Sequence, residues 1–170
     1  MTIVAWGLLL AVGVIAIAAA YRDVVSFTLP NVLTLSVAVF FLPFAGAMYF
    51  AGTLSISGFG FAVLAGCIVF AAGLVLFGLG VLGGGDVKYL AAATLWAYPI
   101  GLSDFLFVTS ISGAVIAIAY LIMARSSARE ADQPVGKGIS ERLARPMPYG
   151  VAISIGLAYT LVRWGLQLTR

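Results

Sequence analysis

Apolar runs of fifteen to twenty-four residues, separated by short polar breaks, fill most of the chain. The runs cover Thr2–Ala20, Asn31–Phe50, Phe59–Leu82, Val87–Leu102, Asp104–Ala124 and Pro148–Val162. A helix needs about 20 apolar residues to cross the hydrocarbon core, and fewer where flanking side chains snorkel. None of the runs shows the two-residue alternation of a barrel strand. The pattern predicts an all-α, polytopic membrane protein of six transmembrane helices, the fourth and sixth of them short. The N-terminal run resembles a secretory signal, but its first base, Arg22, follows the apolar stretch instead of preceding it, so a retained helix is expected.

Composition agrees. Of 170 residues, 63% are hydrophobic and 9% charged, with a mean hydropathy of +1.16. A soluble domain carries about 25% charged residues. One membrane-embedded domain, 1–170, is expected, with a polar loop over about 125–147. The formal charge of +3 suggests no nucleic-acid partner, because the bases form no stripe. They flank the spans instead. Arg22, Lys88, Arg125, Arg129, Lys137, Arg142 and Arg145 follow odd-numbered spans, whereas Arg163 and Arg170 lie on the other side. Seven bases against two place the first group in the cytoplasm and both termini outside. The lone Cys67 and the absence of histidine leave no Cys/His metal site, so no metal and no cofactor are expected.

The six acids divide unevenly. Glu130, Asp132 and Glu141 sit among arginines in the polar loop and read as solvated charge. Asp104 suits an N-terminal cap on the fifth span. Trp6, Trp96, Tyr98 and Trp164 lie near span ends, where aromatic anchors are common. Asp23 and Asp86 differ from the other acids. Each falls in a short connection on the expected cytoplasmic side, in "YRDVVSFTLPN" and "GGGDVKY". Acids at membrane depth are costly and default to functional candidates. Two readings fit them: a helix cap with a headgroup-level charge, or a facing pair. A pair of close carboxylates shares a proton, so that one acts as base and the other as acid. Such a pair can activate water against a peptide carbonyl without metal, cysteine, serine or histidine. Gly83, Gly84 and Gly85 would give a peptide backbone room to approach. Lys88 would bias Asp86 or anchor the loop. The same acids could instead form a relay in a small proton-coupled transporter.

"GGGDVKYL" resembles the G-x-G-D-x-K signature of the type IV prepilin peptidases, within the wider GxGD aspartyl membrane proteases. "RDVVSFTLPN" is similar to that family's first aspartate segment, with Pro30 and Asn31 as its Pro-Asn pair. "MPYGVAIS" is similar to its Pro-aromatic-Gly opening of a late helix. The resemblance implies an aspartic endopeptidase that cuts the short leader from prepilins at the cytoplasmic face of the bacterial inner membrane. It implies Asp23 and Asp86 as catalytic pair, Gly83 and Gly85 as loop-shaping residues, and Lys88, Pro30 and Asn31 in support. The implied partners are the prepilin, the bilayer and pilus assembly machinery. Larger members carry Cys-x-x-Cys motifs and also N-methylate the pilin. No such motif occurs here, so zinc is not carried over and methyltransferase activity stays open. The short form resembles the tight-adherence, Flp-type peptidases. In presenilin-type relatives the first aspartate directly follows a tyrosine, whereas here Arg22 stands between Tyr21 and Asp23.

Overall fold

The computed structural model describes residues 2–98, 100–130 and 147–169. The described residues are all-helical: α1 Thr2–Ser26, α2 Asn31–Phe50, α3 Ile56–Gly78, α4 Gly84–Ala97, α5 Leu102–Glu130 and α6 Tyr149–Leu168. Five of these are long and apolar enough to cross a membrane. The chain is a polytopic α-helical membrane protein, as its apolar runs predict.

The exception is α4. Its 14 residues rise about 21 Å, short of the roughly 30 Å hydrocarbon core. The expected span over 87–102 stops at Ala97 because Tyr98 is extended, with ψ 133°. Pro99 follows in the sequence, and a residue before proline avoids the helical region.

Helix ends move elsewhere too. Helix α1 was expected to stop at Ala20 but runs on to Ser26, so Asp23 lies within a helix and not in a connection. Arg22 does not end it, because a long basic side chain can extend toward water while its backbone stays helical. The turn that does end it is Phe27, whose φ of 50° is left-handed. Its N–H donates to the Asp23 carbonyl at 3.0 Å. Helix α5 passes Ala124 and continues to Glu130, so the first residues of the expected polar loop are helical. Asp132, Lys137, Glu141, Arg142 and Arg145 lie outside the described residues. Helix α3 begins at Ile56, where Ser55 accepts from the Gly58 N–H.

Close approaches set the helix directions. Gly73 faces Val87, while Gly66 faces Ala91 and Leu95, so α3 and α4 are antiparallel. Gly150 meets Asp23 and Gly165 meets Trp6, so α6 runs against α1. Gly113 meets Ala152 and Gly156 meets Phe105, which runs α5 against α6. Lys88 reaches Asn31 and Trp96 reaches Val37, so α2 and α4 are parallel. The chain therefore alternates in direction even through its short α4. The C-terminal ends of α1, α3 and α5 meet the N-terminal ends of α2, α4 and α6 at one end of the bundle.

The core sits around α4, which packs on α2, α3 and α6. Trp96 and Trp164 are fully buried there, with Phe44 between them at ring separations of 4.8 and 4.9 Å. Neither is an interface anchor, contrary to expectation. Each indole N–H donates inward at 2.9 Å, Trp96 to the Val37 carbonyl and Trp164 to the Trp96 carbonyl. A buried indole needs such a partner. Asp104 is not a cap but lies in the first turn of α5, paired with Arg163 at 3.3 Å.

Candidate active site

Asp23 comes from the last turns of α1 and is 3% exposed. Its Oδ2 accepts from the Val151 N–H at 3.3 Å. That N–H belongs to the first turn of α6, where backbone donors have no partner inside the helix and the dipole favours an anion. Gly150 makes the approach possible. A Cβ placed there would lie 2.8 Å from Asp23 Oδ2 and 2.9 Å from Leu29 Cδ1.

Asp86 occupies the first turn of α4 and is 9% exposed. Its carboxylate folds back onto Gly83, which caps the helix, and takes a backbone hydrogen bond there. A Cβ on Gly83 would sit 2.8 Å from Asp86 Oδ2. Each aspartate is thus served by the N-terminus of a helix, Asp86 by its own and Asp23 by that of α6. Asp23 lies within electrostatic range of Asp86. The two carboxylates come from different parts of the chain and are buried at the same end of the bundle.

Leu29 packs beside Gly85 of α4 and Gly150 of α6. Its backbone packs on Gly85, where a Cβ would stand 3.1 Å from the Leu29 Cβ and 3.3 Å from its carbonyl oxygen. The space that Gly85 opens is therefore occupied by the protein's own connection, not left free for a substrate strand. Gly84 lies over the Phe77 ring, its would-be Cβ 3.4 Å away. Pro30 caps α2, its carbonyl accepting from the Leu33 N–H at 3.1 Å. Lys88 Nζ donates to Asn31 Oδ1 at 3.0 Å, which ties α4 to α2 on the exposed rim. Two residues expected in separate supporting roles are thus partners.

Sequence reasoning missed three neighbours. Tyr89 is fully buried, and its hydroxyl shares a hydrogen bond with Ser154 at 2.9 Å. It also lies within electrostatic range of Asp23. Leu29 and Gly150 complete the floor. The available signal for Gly150 and Ser154 was "MPYGVAIS", which carries both. Among the described residues, no cluster of three or more His, Cys, Asp or Glu side chains could hold a metal ion.

Residues 9–118, more than half of the chain, match the type IV leader peptidase family. The chain belongs to that family. No curated protein and no solved structure matches it. The matched stretch of this leader peptidase family member includes Asp23, Pro30, Asn31, Gly83, Gly84, Gly85, Asp86 and Lys88. Gly150 and Ser154, which reach the site from α6, lie beyond it. Membership makes the protein a protease of the leader-peptidase kind, which acts on prepilins.

Proposed function

We propose that Asp23 and Asp86 form the catalytic dyad of an aspartic endopeptidase that removes the leader from Flp-type prepilins. The observation that carries this reading is the pair of buried carboxylates at one end of the bundle, each held by a helix N-terminus. Two buried carboxylates brought close together hold a single proton between them. The ionised one takes a proton from a water molecule, whose oxygen attacks the scissile carbonyl carbon. The protonated one donates to the carbonyl oxygen, giving a tetrahedral diol. Collapse of the diol breaks the C–N bond, and a proton passes to the leaving amine, which restores the shared-proton state.

Orientation follows the bases. Helix α5 leads from the aspartate end into the stretch that holds Arg129, Lys137, Arg142 and Arg145. The excess of positive charge at that end supports a site facing the cytoplasm in the bacterial inner membrane. A prepilin whose apolar helix lies in the bilayer presents its leader junction there. The Flp assignment rests on the single cysteine, Cys67, which leaves no Cys-x-x-Cys motif within residues 1–170. Proton transport has weaker support. A relay calls for an acid near mid-span, whereas Asp23, Asp86 and Asp104 all lie toward helix ends.

The test is co-expression with the cognate prepilin, with leader removal followed by gel shift. Asp23→Asn and Asp86→Asn are each expected to lower cleavage by about a hundredfold or more. Full processing by both variants refutes the dyad.

A further inference from the structure

Lateral grooves open between the described helices. Two of them, of about 720 Å³ between α1 and α6 and about 520 Å³ among α2, α3 and α4, contain no acidic residue. Another, of about 350 Å³, has Asp86 in its wall. It exists because α5 packs on α6 but barely touches α4. Leu90 continues the α4 wall one turn beyond Asp86. Across from it, α5 presents Ser110, Gly113, Ala114 and Ala117. From Ser110 to Ala117 this face rises about 10 Å, or two helical turns. Gly113 already meets Ala152 of α6, but the exposed Ser110 and Ala114 are four residues apart, the small-xxx-small spacing that lets two helix backbones approach closely in lipid. Helix α5 is also the least buried of the long spans.

We infer that the slot between α4 and α5 is where the first turns of the substrate's apolar helix dock. This inference rests on the proteolytic reading above. A substrate cut at the dyad has to bring its chain past Asp86. The part that remains in the bilayer after the cut is an apolar helix, and it needs an apolar wall continuous with that carboxylate. The α4–α5 slot provides one, whereas the α1–α6 groove and the groove among α2, α3 and α4 do not. A docked helix would lie over Leu90, with Ser110, Ala114 and Ala117 against its backbone. The scissile junction would then stand at the level of Asp86, beside Tyr149 at the mouth. Substrate selection by this slot acts on side-chain size near the start of the apolar helix, because small residues on α5 admit a close partner.

The inference is tested with a photo-crosslinking benzophenone residue at position 114, in an Asp23→Asn background that holds the substrate uncut. The probe is a prepilin carrying its leader and first apolar helix. Position 107, on the lipid-facing side of α5, and position 162, in the α1–α6 groove, serve as comparisons; both native residues are exposed. An adduct with the prepilin's apolar helix is expected from 114 and not from 107 or 162. An adduct from 162 with none from 114 overturns the slot. In the otherwise native chain, Ala114→Trp is expected to lower cleavage about tenfold or more, the equivalent of one good helix–helix contact. Phe107→Trp should leave cleavage unchanged. Native cleavage by Ala114→Trp also overturns the slot. An adduct at 114 without any cleavage by the native chain would keep the docking slot and overturn the proteolytic reading. Cleavage without that adduct would do the reverse.

Discussion

Replacing Gly150 with alanine adds one methyl group at the closest approach between α6 and the first aspartate. That methyl would lie 2.8 Å from Asp23 Oδ2, 3.0 Å from its Cγ and 2.9 Å from Leu29 Cδ1. Ordinary contact begins near 3.4 Å, so the carboxylate has to withdraw by about half an ångström. Leu29 blocks one direction of retreat, because its backbone is pressed against Gly85. The movement also stretches the 3.3 Å hydrogen bond from the Val151 N–H, and with it the anion-stabilising contribution of the α6 terminus. Misplacing a reacting group by 1 Å can cost about a hundredfold in rate. For Gly150→Ala the expected loss in kcat/KM is therefore about tenfold or more, with little change in thermal stability. The assay is leader removal by purified protein in nanodiscs, run beside a melting curve. Gly46→Ala is the control, since a Cβ there meets nothing within 4 Å. Cleavage within about twofold of native by a folded Gly150→Ala variant would show that α6 does not position Asp23.

Further outcomes concern the packing behind the site. Thr109 Oγ1 is buried without a hydrogen-bond partner among the described residues, so Thr109→Val should be neutral or should stabilise by about 1 kcal/mol in thermal unfolding. Gly156→Ala should destabilise by about 1–3 kcal/mol, because its methyl would overlap Thr109 Oγ1 and lie 3.1 Å from the Phe105 ring. Combining it with Thr109→Ala should recover part of that loss, and a double-mutant cycle measures the coupling. Tyr89→Phe leaves buried Ser154 without its partner and should cost about 1–2 kcal/mol, with a smaller effect on cleavage than either aspartate variant. Asp104→Asn breaks a pair whose side chains are 46% and 41% exposed. It should cost less than about 1 kcal/mol, with cleavage unchanged.

Long apolar runs are self-sufficient signals, which is why α1, α2, α3, α5 and α6 were legible from hydropathy. Their ends were not. Asp23 looked like a connection residue because Arg22 and Asp23 are charged, yet the helix ends only where Phe27 adopts a left-handed turn. That turn depends on tertiary packing and leaves no mark in composition. Helix α4 was visible as a short span, but its central position was not, because burial among other helices and burial in lipid both select apolar residues. The same ambiguity misplaced Trp96 and Trp164. At the site, Asp23 and Asp86 were legible as costly charges, each in a short stretch on the expected cytoplasmic side. Gly150 lay in "MPYGVAIS" with its contact to Asp23 not visible, and Tyr89 and Leu29 were hidden, because a tyrosine and a leucine in an apolar chain have ordinary uses. Their roles come from contacts between segments far apart in sequence, such as Tyr89 with Ser154.

The shortness of α4 has a consequence for biosynthesis. A helix of 14 residues is too short to be anchored in a bilayer by its own hydrophobicity. Its far end is pinned instead by two indoles, one donating from Trp96 to α2 and one from Trp164 of α6 to α4. Helix α2 is made before α4, whereas α6 is made after it. Until α6 emerges, Trp96 lacks its second tie, Tyr89 lacks Ser154, and Asp23 lacks the Val151 N–H. The acid end thus matures only after α6 has inserted, so a nascent chain would carry both aspartates in the membrane while still unable to hold them in their folded arrangement.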